Sequence, residues 1–211
     1  DKNQQSNINV KGLKIDELGV EFIAKVKKGG NTSSIEKDLT QIEIAELEKA
    51  SDNLKLSFWI NIYNAWFLTL RKREGLAKPE IYTKKTLAVS SLFLSLDDIE
   101  HGILRKHKFK YALGFITNPL ASLNIKRLAV KKLNCLIHFA LHCGAMSGPP
   151  ITVYHSKTIN KQLESSTLNF LELETTIDKS NKRVFVSTLF KWYLADFGSY
   201  KGIRSLLSQF L

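Results

Sequence analysis

Two cysteines and five histidines carry most of the nucleophilic and acid–base capacity of this 211-residue chain. Three of them fall in one stretch, HFALHCGAMSGPP, running from His138 to Pro150. Cys143 stands there between an apolar run and a turn of small residues beginning at Gly144, so its thiol is reachable while its backbone packs closely. A nucleophilic thiol needs a lowered pKa, a base within hydrogen-bond reach and a donor for the developing oxyanion. The surrounding segment supplies a suitable field. No carboxylate lies between Glu100 and Glu164, whereas ten Lys and Arg do, and a positive field favours a thiolate and draws anionic ligands.

The choice of base turns on local geometry. Read as a strand, Cys135 to Leu141 and the residues after it alternate, which puts His138 and His142 on one face and Cys143 on the other. On that reading a partner for Cys143 comes from elsewhere, and His101 is the better candidate unless the strand bends. Glu100 or Asp98 could orient that imidazole, and Asn61 could supply an amide donor. Two histidines four apart chelate a metal from a helix, but on a strand they sit about 13 Å apart. With one cysteine nearby and no carboxylate in the segment, no metal site is expected.

These groups need elements to position them. Leu54 to Arg73 has the strongest helical pattern, with Leu56, Trp59, Ile60, Tyr63, Trp66, Phe67 and Leu70 on one broad face, and it is expected to be the central buried helix. Asn61 and Asn64 interrupt it, and buried amides must find partners, so they either brace a neighbouring backbone or point into a cleft. Ser95 and Asp98 form a capping box for a helix from Leu96 to about Lys106. Along it Asp97, His101 and Arg105 recur every four residues, the pattern of a solvated ion-pair ladder, and Gly102 invites close approach of another backbone.

The rest of the chain reads more simply. Residues 1–12 are polar and are expected to be loose, Leu13 to Val26 is a short helix, and Gly29–Gly30 marks a loop. Ser33 with Glu36 suggests a capping box for a helix carrying Ile35, Leu39, Ile42, Ile44 and Leu47. Residues 75–95 are loop with one short strand; Tyr111 to Thr117 and Arg183 to Ser187 read as strands. Asn160 to Leu171, Leu189 to Phe197 and Gly202 to Phe210 read as helices. The outcome is a helix-rich α+β single domain with a small antiparallel sheet.

Composition narrows the function classes. The apolar run from Phe58 to Leu70 is broken by Asn61, Tyr63 and Asn64, so no transmembrane segment is expected. The net charge of +11 lies wholly after residue 100, since residues 1–100 balance at 15 basic and 15 acidic. Phe109, Tyr111 and Tyr154 add aromatics to that basic half, but no nucleic-acid-reading motif accompanies them. Two cysteines are too few for a disulfide framework. The chain opens at Asp1 without a charged-then-apolar leader, which fits a processed, extracytoplasmic protein.

Four stretches together resemble one family, the domain-of-unknown-function 547 proteins: SFWINIYNAW, LSLDDIEHGILR, IHFALHCGAMSGPPI and STLFKWYLADFG. The resemblance implies a domain over residues 33–211, with residues 1–32 an N-terminal extension carrying a short helix. It implies further a similarity to papain-like and transglutaminase-like cysteine hydrolases, whose polar positions map onto Asn61, Asn64, Glu100, His101, Arg105, His138 and Cys143. This chain departs from the family with Gly148 where a second cysteine is usual, and with Asn134 and Leu136 where an Asp and an Arg are usual.

The expectation is a thiol hydrolase or acyl transferase on a peptide-like or amide substrate, needing no cofactor. Cys143 is its nucleophile, His101 or His138 its base, Glu100 the orienting group, and Asn61 or Asn64 the oxyanion donor. The alternative is a non-catalytic pocket for a small anionic or peptide ligand, in which Asn64, Arg105, Gly144, Gly148 and Tyr154 make the contacts.

Overall fold

A leading helix, α1 (Lys2–Lys27), runs through the polar residues expected to be loose as well as the apolar ones after them. The structure, a computed structural model, describes residues 2–142 and 151–211, with side chains described over residues 14–72, 75–142 and 151–211. After Gly29, whose φ is +70°, come α2 (Ser33–Thr40) and α3 (Ile44–Lys49). The single helix expected here is thus two, and α2 is preceded by Thr32, whose hydroxyl bonds Glu36 at 2.5 Å, rather than capped at Ser33.

The central helix α4 (Asp52–Thr69) starts where Ser51 Oγ accepts the Leu54 amide at 3.3 Å and continues as a π-helical turn over Leu70–Glu74. It is apolar on every side: Leu56, Phe58, Trp59, Ile60, Ile62, Tyr63, Ala65 and Phe67 are all buried. A helix of that composition must be enclosed, and α1 packs along it. Phe22 and Ile23 are fully buried in that packing. The N-terminal helix therefore shares the main core.

Beyond it lie α5 (Glu80–Thr83) and the hairpin of β1 (Leu87–Val89) with β2 (Leu92–Leu94), paired in register Leu87↔Leu94. A second π-helical segment, Asp98–Leu104, leads to α6 (Leu123–Leu128). Residues 108–117, expected as a strand from Tyr111, form a looped ribbon held by one bridge, Lys108↔Thr117. The chain then makes a 3₁₀-helix over Cys135–Phe139.

The C-terminal part comprises α7 (Ile159–Glu174), a second hairpin of β3 (Thr176–Asp178) and β4 (Arg183–Phe185), α8 (Leu189–Trp192) and α9 (Ser199–Phe210). Phe139 sits among Phe170, Phe190 and Phe197 at centroid distances of 5.1, 5.8 and 5.7 Å, the heart of a second, smaller core. The architecture is a helix-rich α+β domain with two separate antiparallel hairpins. Among the described residues no helix is long and apolar enough to cross a membrane.

Candidate functional site

The capping box at Ser95 forms as expected. Asp98 Oδ2 accepts from the Ser95 amide and hydroxyl, each at 2.9 Å, and the Asp98 amide donates to Ser95 Oγ at 3.1 Å. The backbone then widens to i→i+5 bonding, with the Arg105 amide on the Glu100 carbonyl at 2.8 Å. Ile99, Ile103 and Leu104, all fully buried, anchor this segment in the core and carry Glu100 and Arg105 inward with them. A Cβ on Gly102 would come within 2.8 Å of Ile125 Cγ2, so the close neighbour is a side chain of α6, not the backbone expected.

The ladder expected of Asp97, His101 and Arg105 is turned inside out. Arg105 has 0% exposure and donates to Asp196 through Nε at 2.5 Å and through its second nitrogen at 3.2 Å. Its guanidinium also lies 4.6 Å from the Tyr193 ring centroid. A forked donor over a carboxylate and an aromatic face is an arrangement lysine could not reproduce.

His138 reaches the same carboxylate, and the same Oδ2, as Arg105 Nε. The strand expected over residues 135–141 is a 3₁₀-helix because Asn134 Oδ1 caps it, accepting the Leu136 amide at 3.0 Å. The run Ile137 to Leu141 is buried without alternation, so a period of two never existed to build a strand. His138 Nε2 lies 2.9 Å from Asp196 Oδ2. Its ring stacks on Tyr193 at 3.7 Å and leans on Phe197 at 5.4 Å.

The electrostatics follow from which partner is always charged. Burial pushes the Asp196 carboxyl up, but His138 and Arg105 outweigh it and hold the carboxyl below its ordinary value. Burial lowers the His138 pKa, and Asp196 with Glu100 offsets only part of that. Because Arg105 supplies the permanent cation, His138 can stay neutral, donating its Nε2 proton to Asp196 and keeping Nδ1 able to accept one.

His101 is arranged differently. Arginine has no acceptor, so its contact with His101 Nδ1 at 2.8 Å must be a donation into the ring's lone pair. The ring proton then sits on Nε2, 3.6 Å from Asp97 Oδ1. Burial lowers this imidazole's pKa and Arg105 adds to that, while Glu100 and Asp97 oppose them. The lone pair a general base would use is thus engaged by a cation.

Glu100 does not orient His101 through a hydrogen bond, since the two are 3.7 Å apart. It takes the Tyr63 hydroxyl at 3.2 Å and the Tyr193 hydroxyl at 2.5 Å instead. Burial pushes the Glu100 carboxyl up, and interaction with His101, Tyr193, His138 and Arg105 outweighs it, so its pKa falls below the ordinary value. Burial raises the Tyr63 pKa well above its usual value, with Glu100 adding to it, so Tyr63 remains a donor.

Asn61 and Asn64 brace backbone. Asn61 Nδ2 donates to the Tyr154 carbonyl at 2.7 Å and its Oδ1 accepts the Tyr154 amide at 2.9 Å. Asn64 bonds the Ala140 carbonyl and the His142 amide, both at 2.9 Å. Both amides are completely buried. One helical turn of α4 therefore fixes the chain at His142 and again at Tyr154. Cys143, Gly144 and Gly148 lie outside the described residues, between those two points. Tyr154 is itself buried, with its hydroxyl on Ser166 at 2.8 Å.

The other cysteine is a poor nucleophile. Burial raises the Cys135 pKa and the Asp196 charge raises it further. Among the described residues no group of three or more His, Cys, Asp or Glu side chains converges on a possible metal position.

Sequence reasoning missed Asp196, Tyr193 and Tyr63. The signal for the first two was the YLADFG end of the fourth motif, in which the only acid is Asp196; Tyr63 was read as core alone.

A helix-rich α+β scaffold closed around a buried Arg105–Asp196–His138 cluster is the class that fold and site define. The chain belongs to the family described as a protein of unknown function, DUF547, which matches residues 47–171, more than half of its 211 residues. No curated protein and no solved structure matches it. The matched span includes the first three of the four motifs and ends before the one that carries Asp196.

Proposed function

We propose that the domain is a thiol-dependent hydrolase or acyl transferase acting on a peptide-like or amide substrate, akin to papain-like and transglutaminase-like cysteine hydrolases. Cys143 is the nucleophile, His138 the base, and Asp196 the group that orients the base. The observation that carries this reading is the 2.9 Å contact between His138 Nε2 and Asp196. A carboxylate behind an imidazole selects the tautomer whose other nitrogen accepts a proton, and burial keeps that imidazole neutral.

In the reaction, His138 Nδ1 takes the Cys143 thiol proton as sulfur attacks the substrate carbonyl. The proton passes to the departing amine as the C–N bond breaks, and the thioester is then cleaved by water or transferred to a second nucleophile. Asn64 supports the arrangement by holding the His142 amide, next to Cys143, on the same helix that supplies Tyr63 to Glu100.

A second reading, a small anionic or peptide ligand held without chemistry, draws on an open cleft of about 370 Å³ beside His101, lined in part by Lys85, Lys108 and Lys110. Iodoacetamide labelling across pH separates the two. In a Cys135→Ser background the thiol-hydrolase reading expects Cys143 to react with an apparent pKa well below the free-thiol value of about 8.5, and His138→Gln to move it back. A profile that follows a free thiol and ignores the His138 change removes the enzyme and leaves the ligand-binding domain.

A further inference from the structure

The ribbon and helix start around the cleft expose more apolar surface than a solvated face needs. Tyr111 is 81% exposed, Leu120 90% and Leu123 77%, with Phe109, Phe115 and Ile116 also open to solvent. They form one neighbourhood. Phe109 and Tyr111 meet edge to face at 6.3 Å, the Phe109 amide bonds the Ile116 carbonyl at 2.8 Å, and Leu120 lines the same cleft as both rings. Scattered single apolar residues are ordinary on a surface, but a contiguous group marks a contact.

Charge says what kind of contact. Lys106 and Lys126 are exposed and near enough to act on His107 in the cleft lining, and Lys108 lines the cleft half-buried, in the stretch from 101 to 163 that contains no carboxylate. Of the lysines that line the cleft, Lys110 pairs with Asp97 at 2.6 Å and Lys85 with Asp98 at 3.3 Å. Lys106, Lys108 and Lys126 have no ion-pair partner among the described residues. Two of these three, Lys106 and Lys126, are exposed and lie outside the cleft lining, so most of the unpaired charge meets solvent, which suits a surface rather than a ligand seated in the cleft.

We infer that this face, Phe109 to Leu123 with Lys106, Lys108 and Lys126, docks the protein on an anionic lipid bilayer. Mixed aromatic and aliphatic side chains next to lysines are what an interface of acyl chains and acidic headgroups accommodates. A nucleic-acid surface would use aromatic rings as stacking platforms, and Leu120 and Leu123, the most exposed aliphatic residues here, offer no π-face. The contact is peripheral, and it lies against the site: the Leu113 carbonyl accepts the Ala195 amide at 2.9 Å, and a Cβ added at the neighbouring Gly114 would meet Asp196 and Arg105.

The test is cosedimentation of the full chain with vesicles of phosphatidylcholine alone and of equal parts phosphatidylcholine and phosphatidylserine. Binding to the mixed vesicles only, weakened by salt, is expected. Each of Lys106→Gln, Lys108→Gln and Lys126→Gln should lower the partition coefficient about fivefold, since one basic group near an anionic surface contributes about 1 kcal/mol. Leu120→Ser and Leu123→Ser should each lower it about tenfold, and because both sites are exposed the melting temperature should not move. No binding, equal binding to both vesicles, or indifference to the variants would overturn the inference. So would a dimer that Leu120→Ser dissociates, which assigns the face to a second copy, or tighter binding to a single-stranded oligonucleotide.

Discussion

Replacing Asp196 with Asn tests the centre of the site, because it removes one charge and almost no volume. The carboxylate takes three donors: Arg105 Nε at 2.5 Å, a second Arg105 nitrogen at 3.2 Å and His138 Nε2 at 2.9 Å. All three side chains are buried, at 0%, 0% and 1% exposure for Asp196, Arg105 and His138. An amide has one acceptor oxygen and one donor nitrogen. Whichever way it is turned, an N–H meets an Arg105 N–H, and the guanidinium keeps its charge with no counter-ion beside it. Removing one partner of a buried ion pair costs about 3–5 kcal/mol. With a urea slope of about 2–3 kcal/mol/M, the unfolding midpoint should drop by roughly 1 to 2.5 M with the slope unchanged. Fluorescence of the three tryptophans reads this directly. Because the two residues act on each other, Arg105→Met combined with Asp196→Leu should lose much less than the sum of the two single changes. A loss under about 1 kcal/mol for Asp196→Asn would mean the carboxylate is solvated, and His138 would then lose its orienting partner as well.

Other outcomes follow from the same geometry. Asn61→Ala leaves a buried backbone N–H and C=O without partners, and Asn64→Ala a buried C=O and a part-buried N–H; each should cost about 2–6 kcal/mol by urea unfolding, at about 1–3 kcal/mol per unsatisfied group. Gly114→Ala should destabilise by more than about 1 kcal/mol, because φ there is +84° and a Cβ would collide with Asp196; calorimetry checks it. Stability should fall as pH drops below about 6.5. His101, His138 and His142 all have folded pKa values lowered, burial being the first cause, so below that pH the unfolded chain binds protons the folded one refuses. The urea midpoint at pH 5.5 against 7.5 reads the effect; a midpoint that rises on acidification contradicts it.

What the sequence made legible was local. Helix α4 announced itself because every turn offers apolar side chains, and the Ser95–Asp98 box because its two partners are three residues apart. Arg105 and His138 stood out as site residues, but their roles did not, since both depend on Asp196, which is 91 and 58 residues away respectively. Without that partner the Asp97–His101–Arg105 row could only look like a surface ladder. The residues before Cys143 misled for another reason. A continuous apolar run has no period, and the cap at Asn134 decided between strand and 3₁₀-helix. Asn61 and Asn64 were rightly marked as odd, and bracing a backbone was one of their two readings, but nothing in the chain named Tyr154 and His142 as the places they hold.

That pair of amides sets what can change and what cannot. The chain is moored to one helix just before Cys143 and again at Tyr154, so that anchorage does not depend on the letters in between. A relative could swap, lose or regain a reactive side chain there while the scaffold stayed intact. Cys143 and Gly148 both fall in that stretch of sequence, so a substitution at either leaves the two amide anchors as they are.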